Sequence, residues 1–108
     1  AEILAILANG GVSQGRRFLS EKGCRRALDV QVAGVDLVLG VPIRFGLGFA
    51  LGAGVLQNEN SLYWGGYGGS LAIVDLDART TIAYTPNRMD GGTVGDLRGF
   101  ELAMAFWD

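Results

Sequence analysis

Eight consecutive residues, Tyr63-Trp64-Gly65-Gly66-Tyr67-Gly68-Gly69-Ser70, hold the densest set of side chains and backbone types suited to a site. The four glycines let a backbone lie very close to a ligand, and the interleaved aromatics offer pocket walls. The same residues also read as a glycine-rich turn with incidental aromatics, and the spacing alone leaves both readings open. A phosphate loop fits poorly. No glycine precedes a lysine as the P-loop requires, and the Gly-x-Gly-x-x-Gly spacing of a dinucleotide loop is missing.

Other chemistry is limited by what the chain lacks. It contains no histidine, so a Ser-His-Asp or Cys-His arrangement cannot be assembled from these residues. The single lysine, Lys22, sits in Ser20-Glu21-Lys22, and no serine has a lysine three residues later. The single cysteine, Cys24, can form no internal disulfide and has no histidine with which to share a metal, so neither a disulfide framework nor a zinc site is expected. It reads as a buried helix residue. No cofactor is called for.

With 108 residues, about half of them apolar (49%), the chain has the size of one small domain. Its net charge of −2 comes from scattered acids and bases, with no basic stripe for phosphates and no polybasic membrane patch. Nucleic acid is therefore not an expected partner. The longest uncharged run, Phe45 to Leu56, is too short to span a bilayer and is broken by glycines, so no membrane span is expected. The first residues carry no signal-peptide pattern, which leaves the compartment open, with the cytoplasm slightly preferred to the periplasm.

The elements that must position the glycine segment follow from periodicity. Residues 2–8 place Ile3, Ile6 and Leu7 at helical spacing, ended by Asn9-Gly10-Gly11. This helix has no capping residue ahead of it, which suggests that the chain was cut from something longer. Ser20 is a candidate cap for a second helix carrying Cys24, Ala27, Leu28 and Gln31 on one face, with Arg25 and Arg26 outward. From Arg44 the period becomes two, with Phe45, Leu47, Phe49 and Leu51 on one strand face and Gly46, Gly48 and Ala50 on a small face suited to close packing. Residues 70–76 and 80–85 read as an antiparallel hairpin, and Asp96 caps a last helix with Leu97, Phe100, Met104 and Trp107 as its core stripe. The result is an α+β chain of antiparallel strands flanked by helices. Its doubly apolar strands imply that further chain completes the burial.

Several segments together resemble the β-lactamase/penicillin-binding-protein superfamily of serine hydrolases, in its family VIII carboxylesterase branch. Trp64-Gly65-Gly66 resembles the third conserved element, where class C β-lactamases carry Lys-Thr/Ser-Gly and these esterases carry Trp-Gly-Gly. The stretch from Asn9-Gly10-Gly11 to Leu19-Ser20, the Phe45-Gly46-Leu47-Gly48-Phe49 run and the Asn87-Arg88-Met89 sequence are similar to family segments in the same order. The resemblance covers most of the chain and makes residues 1–108 the C-terminal portion of a single catalytic domain.

The resemblance implies an acyl-enzyme mechanism whose nucleophile and base, in Ser-x-x-Lys and Tyr-x-Asn motifs, lie outside this chain. The partner would be the N-terminal portion of the same enzyme, and the substrate a small ester. By carry-over, the backbone N–H of Tyr67 is one oxyanion-hole donor, with Trp64, Gly65, Gly66 and Tyr67 lining the substrate. Trp64 stands where β-lactamases have a lysine, so a neutral ester suits the site better than a substrate carboxylate. A β-lactamase or peptidase of the same fold, a non-catalytic relative binding acyl or peptidoglycan-like ligands, and an independent sugar-stacking module remain as alternatives.

Overall fold

The computed structural model describes residues 1–107. Helix α1 (Glu2–Ala8) is followed by a small hairpin of β1 (Val12–Ser13) and β2 (Arg16–Arg17), then α2 (Glu21–Arg25) with a 3₁₀ turn (Arg26–Leu28). Strands β3 (Val32–Val35), β4 (Pro42–Phe45), β5 (Ala50–Leu51), β6 (Ser61–Gly65), β7 (Leu71–Asp75) and β8 (Thr80–Tyr84) form one antiparallel sheet in sequence order, and α3 (Leu97–Trp107) closes the chain. The α+β class expected from the sequence is what the chain adopts. No helix among the described residues is long and apolar enough to cross a membrane.

Strands β5 to β7 are covered on both faces, each by a different layer, while every residue of β3 is exposed. The pairings Leu62↔Val74 and Leu51↔Leu62 place these three side chains on one face, where they meet Ala8, Leu4 and Leu7 of α1 and Ala27 of the 3₁₀ turn. Leu71 and Ile73 point the other way and pack against Phe100, Ala103 and Trp107 of α3. The β7–β8 hairpin forms as expected, from Leu71↔Tyr84 to Asp75↔Thr80.

The helix ends obey their local chemistry. The Gly11 N–H donates to the Ile6 carbonyl at 2.7 Å and the Gly10 N–H to Leu7 at 3.2 Å, with positive φ at both glycines. This is the Schellman arrangement. Ser20 accepts from the Gly23 N–H at 3.0 Å and so caps α2. Cys24 is fully buried on that helix, where burial pushes its thiol pKa up.

Four expectations are corrected. The run from Arg44 to Leu51 is a tight hairpin rather than one strand: Phe45 pairs with Ala50, and the Gly46 N–H donates to the Phe49 carbonyl at 2.9 Å. Gly48 has φ +84°, and a Cβ on Gly46 would lie 2.1 Å from the Ala27 carbonyl oxygen. The close approach expected of the small face is therefore real at Gly46, but it forms a turn against the 3₁₀ segment. The second helix stops before Gln31, whose N–H instead joins the Phe45 carbonyl at 2.8 Å beside β3.

The other two corrections concern phase. In α1 the packed residues are Leu4, Leu7 and Ala8, while Ile3 is 82% exposed. Seven residues make two turns, too few for a periodic pattern to fix which face is buried. In α3 the buried stripe runs through Gly99, Phe100, Ala103 and Trp107, and Leu97 is 76% exposed. A Cβ on Gly99 would sit 3.0 Å from the Tyr84 ring, so the helix touches the sheet through its smallest residues. A stripe drawn through the largest apolar side chains misses that contact.

Candidate functional site

The residues singled out from the sequence lie together at one end of β6 and in the turn that follows. Tyr63, Trp64 and Gly65 belong to β6, a separate strand beyond those expected from the sequence. The glycines after it close a β-turn: the Gly69 N–H reaches the Gly66 carbonyl at 3.2 Å, and Gly68 has φ +97° at the third turn position. That sign is the type II geometry, which favours glycine there. The Gly66 N–H to Ser70 carbonyl bond at 2.9 Å ties the turn to the start of β7.

Strand alternation separates the two aromatics of β6. Trp64 pairs with Ala72, which pairs with Ala83, and these line a cleft of about 390 Å³ with Gly65, Gly66, Ser70 and Thr85. The Trp64 ring is braced by Phe45, with centroids 5.1 Å apart and planes tilted by 54°. Tyr63 faces the α3 side, edge-on to Phe100, and burial pushes its phenol pKa up. It is part of the core rather than of the cleft. Tyr67, at the second turn position, has its side chain in solvent and is 66% exposed.

The backbone of the turn is held more firmly than its exposed tyrosine suggests. The loop from Arg88 to Gly95 wraps it: the Gly68 N–H donates to the Gly92 carbonyl at 2.9 Å, the Asp90 N–H to Gly68 at 3.2 Å, and the Gly95 N–H to Gly66 at 3.2 Å. A Cβ on Gly65 would lie 2.3 Å from the Gly95 nitrogen, and one on Gly68 would lie 2.6 Å from the Met89 methyl. The N–H groups of Gly66, Gly68 and Gly69 are thus all engaged by backbone carbonyls. No backbone carbonyl among the described residues accepts from the Tyr67 N–H. A fixed N–H left free beside a cleft can donate to an anionic oxygen at little reorganisation cost.

Two residues that the sequence reading treated otherwise, or passed over, complete the arrangement. Asp96 caps α3 through the Arg98 N–H at 3.0 Å, as expected, but it also receives the Arg98 guanidinium, whose Nε lies 3.1 Å from Oδ2 and whose Nη2 makes a second close contact. The same guanidinium donates to the Gly68 carbonyl at 3.2 Å and to the Arg88 carbonyl at 2.9 Å. Only the Asp-x-Arg spacing at a helix start signals such a pair in sequence, and the two carbonyls it reaches are set by the fold.

The hydrogen bonds from Arg98 hold the Asp96 carboxyl below the usual carboxylate range. A depressed folded-state pKa adds stability above the ordinary carboxylate pKa, and that stability disappears as pH falls through the folded value. Asp96→Asn is therefore expected to be less stable than the wild type at neutral pH, with the gap closing only at pH below about 4. Urea melts of both proteins between pH 7 and pH 3 measure it, and a pH-independent gap would show that the carboxylate charge is not what stabilises the helix start.

No family model and no curated protein matches the chain. Solved structures do. A family VIII carboxylesterase superposes with a TM-score of 0.89 and 34% identity, over 99% of this chain and 30% of its own length. A penicillin-binding protein homolog from Caulobacter crescentus superposes with a TM-score of 0.90 and 29% identity, over 97% of this chain and 29% of its own. The chain spans under a third of the length of either structure.

Proposed function

Since the chain has the β-lactamase/penicillin-binding-protein fold, as its C-terminal part, we propose that it forms one wall of the acyl-transfer site of a serine carboxylic ester hydrolase. Residues 1–108 are then the C-terminal portion of a single catalytic domain, and the rest of the enzyme supplies the serine and its base. The observation that carries this reading is the free Tyr67 N–H, one residue beyond the cleft-lining Trp64-Gly65-Gly66 and in a turn whose other N–H groups are engaged. Attack on an ester carbonyl puts negative charge on its oxygen, and a preorganised amide stabilises that charge without having to reorient.

The remaining residues have matching tasks. Trp64, braced by Phe45, lines the substrate with a neutral surface. It has no cation for a substrate carboxylate, which favours a small neutral ester over a β-lactam. Gly65 and Gly66 contribute backbone to the cleft wall, the space where their side chains would stand being filled by the Val94–Gly95 peptide and the Ser70 hydroxyl. The serine attacks the carbonyl carbon, the Tyr67 amide receives the oxyanion, and expulsion of the alcohol leaves an acyl-enzyme that water cleaves.

The test uses the complete polypeptide. It is expected to hydrolyse p-nitrophenyl esters of short acids and to be labelled once by a fluorophosphonate, while the 108-residue chain alone does neither. A complete protein that lacks Ser-x-x-Lys and Tyr-x-Asn and binds acyl or peptidoglycan-like ligands without turnover would replace this reading with the non-catalytic one. The likeness to a penicillin-binding protein homolog favours that second reading over an independent sugar-binding module.

A further inference from the structure

We infer that Arg98 is the positioning residue for the oxyanion donor: its guanidinium fixes the Gly66–Gly69 turn, and with it the direction of the Tyr67 N–H. The inference rests on the proposed esterase reading for its catalytic consequence, and on geometry for the rest. One guanidinium joins three separate pieces of chain. It donates to the Gly68 carbonyl at 3.2 Å, two peptides beyond the one that carries the Tyr67 N–H, and to the Arg88 carbonyl at 2.9 Å in the wrapping loop. Its third partner is the Asp96 carboxylate at the start of α3, which is packed on the sheet through Gly99 and Ala103.

These bonds join the turn to a rigid element. The Tyr67 N–H belongs to the peptide between Gly66 and Tyr67, and the carbonyl of that peptide accepts from the Gly69 and Gly95 N–H groups at 3.2 Å each. The Gly69 N–H shares its peptide with the Gly68 carbonyl, which receives both the Asp90 N–H and Arg98, so the guanidinium holds the peptide that in turn holds the Gly66 carbonyl and the Tyr67 N–H opposite it. Gly69 completes the fit. A Cβ there would lie 2.1 Å from the Asp96 carboxylate and 2.7 Å from the Arg98 Nη2, so the ion pair occupies the space beside its Cα.

Arginine is required by the geometry rather than by charge alone. A planar fork with five donors can serve two carbonyls and a carboxylate together, whereas a lysine ammonium is a single point. Arg98 has no place in the cleft itself. Its side chain is not among the residues lining the Trp64 cleft, so it acts through the turn.

The experiment compares Arg98→Lys and Arg98→Met in the complete enzyme with the wild type, reading kcat and KM for a p-nitrophenyl ester and hydrogen exchange of the peptide spanning residues 66–69. Misplacement of a reacting group by about 1 Å costs roughly 10²-fold in rate. Arg98→Met is expected to lose about 10–10² in kcat with KM within about twofold, and Arg98→Lys less, with faster exchange of the turn amides in both. A phosphonate that mimics the tetrahedral state should lose affinity in parallel with kcat. Should Arg98→Met fail to fold, Arg98→Lys retains charge at the helix start and supplies the same comparison. Unchanged turn exchange in a folded variant overturns the inference whatever the activity, and so does a loss confined to KM. A wild-type protein with no esterase activity but with the expected exchange change would overturn the enzyme reading and leave the positioning role standing.

Discussion

Replacing Tyr67 by proline in the complete enzyme should reduce kcat by about 10²–10³, while replacing it by alanine should leave kcat within a few fold of the wild type. The difference isolates one atom. Alanine keeps the backbone N–H and removes only a side chain that is already two-thirds exposed. Proline removes the N–H, and loss of one oxyanion donor typically costs about 10²–10³ in kcat, or roughly 3–4 kcal/mol. The turn tolerates the change, because the second position of a type II turn is where proline is favoured and no backbone carbonyl depends on this N–H. Melting curves for both variants establish that the fold is intact before rates are compared. Equal losses in the two variants, or a fully active proline variant, would remove Tyr67 from the site.

The largest stability effect is expected at Asp75. This residue is fully buried at the end of β7, and its carboxylate accepts from the Asn58 side-chain amide at 2.7 Å, the Ala78 N–H at 2.8 Å and the Trp107 indole N–H at 3.2 Å. It thereby ties the loop before β6, the β7–β8 turn and the last turn of α3 to one point. Hydrogen bonds to a charged group contribute about 1.5–3 kcal/mol each, and donors left without a partner add a desolvation cost. Asp75→Ala is therefore expected to lose roughly 3–5 kcal/mol in a urea titration of the complete protein, and Asp75→Asn, which keeps one acceptor oxygen, about half of that. An alanine variant within about 1 kcal/mol of the wild type would mean that water satisfies those donors and that the junction is not held by the carboxylate.

The sequence carried the helix ends and the last hairpin clearly because their signals are local. Ser20 and Asp96 accept from amides, and the Gly10-Gly11 pair donates to carbonyls, all within five residues of themselves. The glycine-aromatic segment was legible as a place, and the strand order then explains why Trp64 and not Tyr63 faces the cleft. What stayed hidden depends on residues distant in the chain. Gly46 is a turn residue because the Ala27 carbonyl lies against it, and the phases of α1 and α3 follow from where small residues let the helices approach the sheet. Arg98 was unreadable for the same reason: its partners at 68 and 88 are brought to it by the sheet and the wrapping loop.

The contact between Gly65 and the peptide of Val94 and Gly95 also limits how this site can change by mutation. A side chain at Gly65 would meet backbone atoms, with a Cβ at 2.5 Å from the Val94 carbonyl carbon, so no shortening of a facing side chain can relieve it. Second-site compensation is closed on that wall. Variation in acyl preference must enter through Trp64 and its brace Phe45, or through the cleft floor at Ala72 and Ala83, where the neighbours are side chains that can trade volume. Libraries built at those four positions should yield folded enzymes with altered chain-length preference, whereas libraries at Gly65 should return the parent glycine.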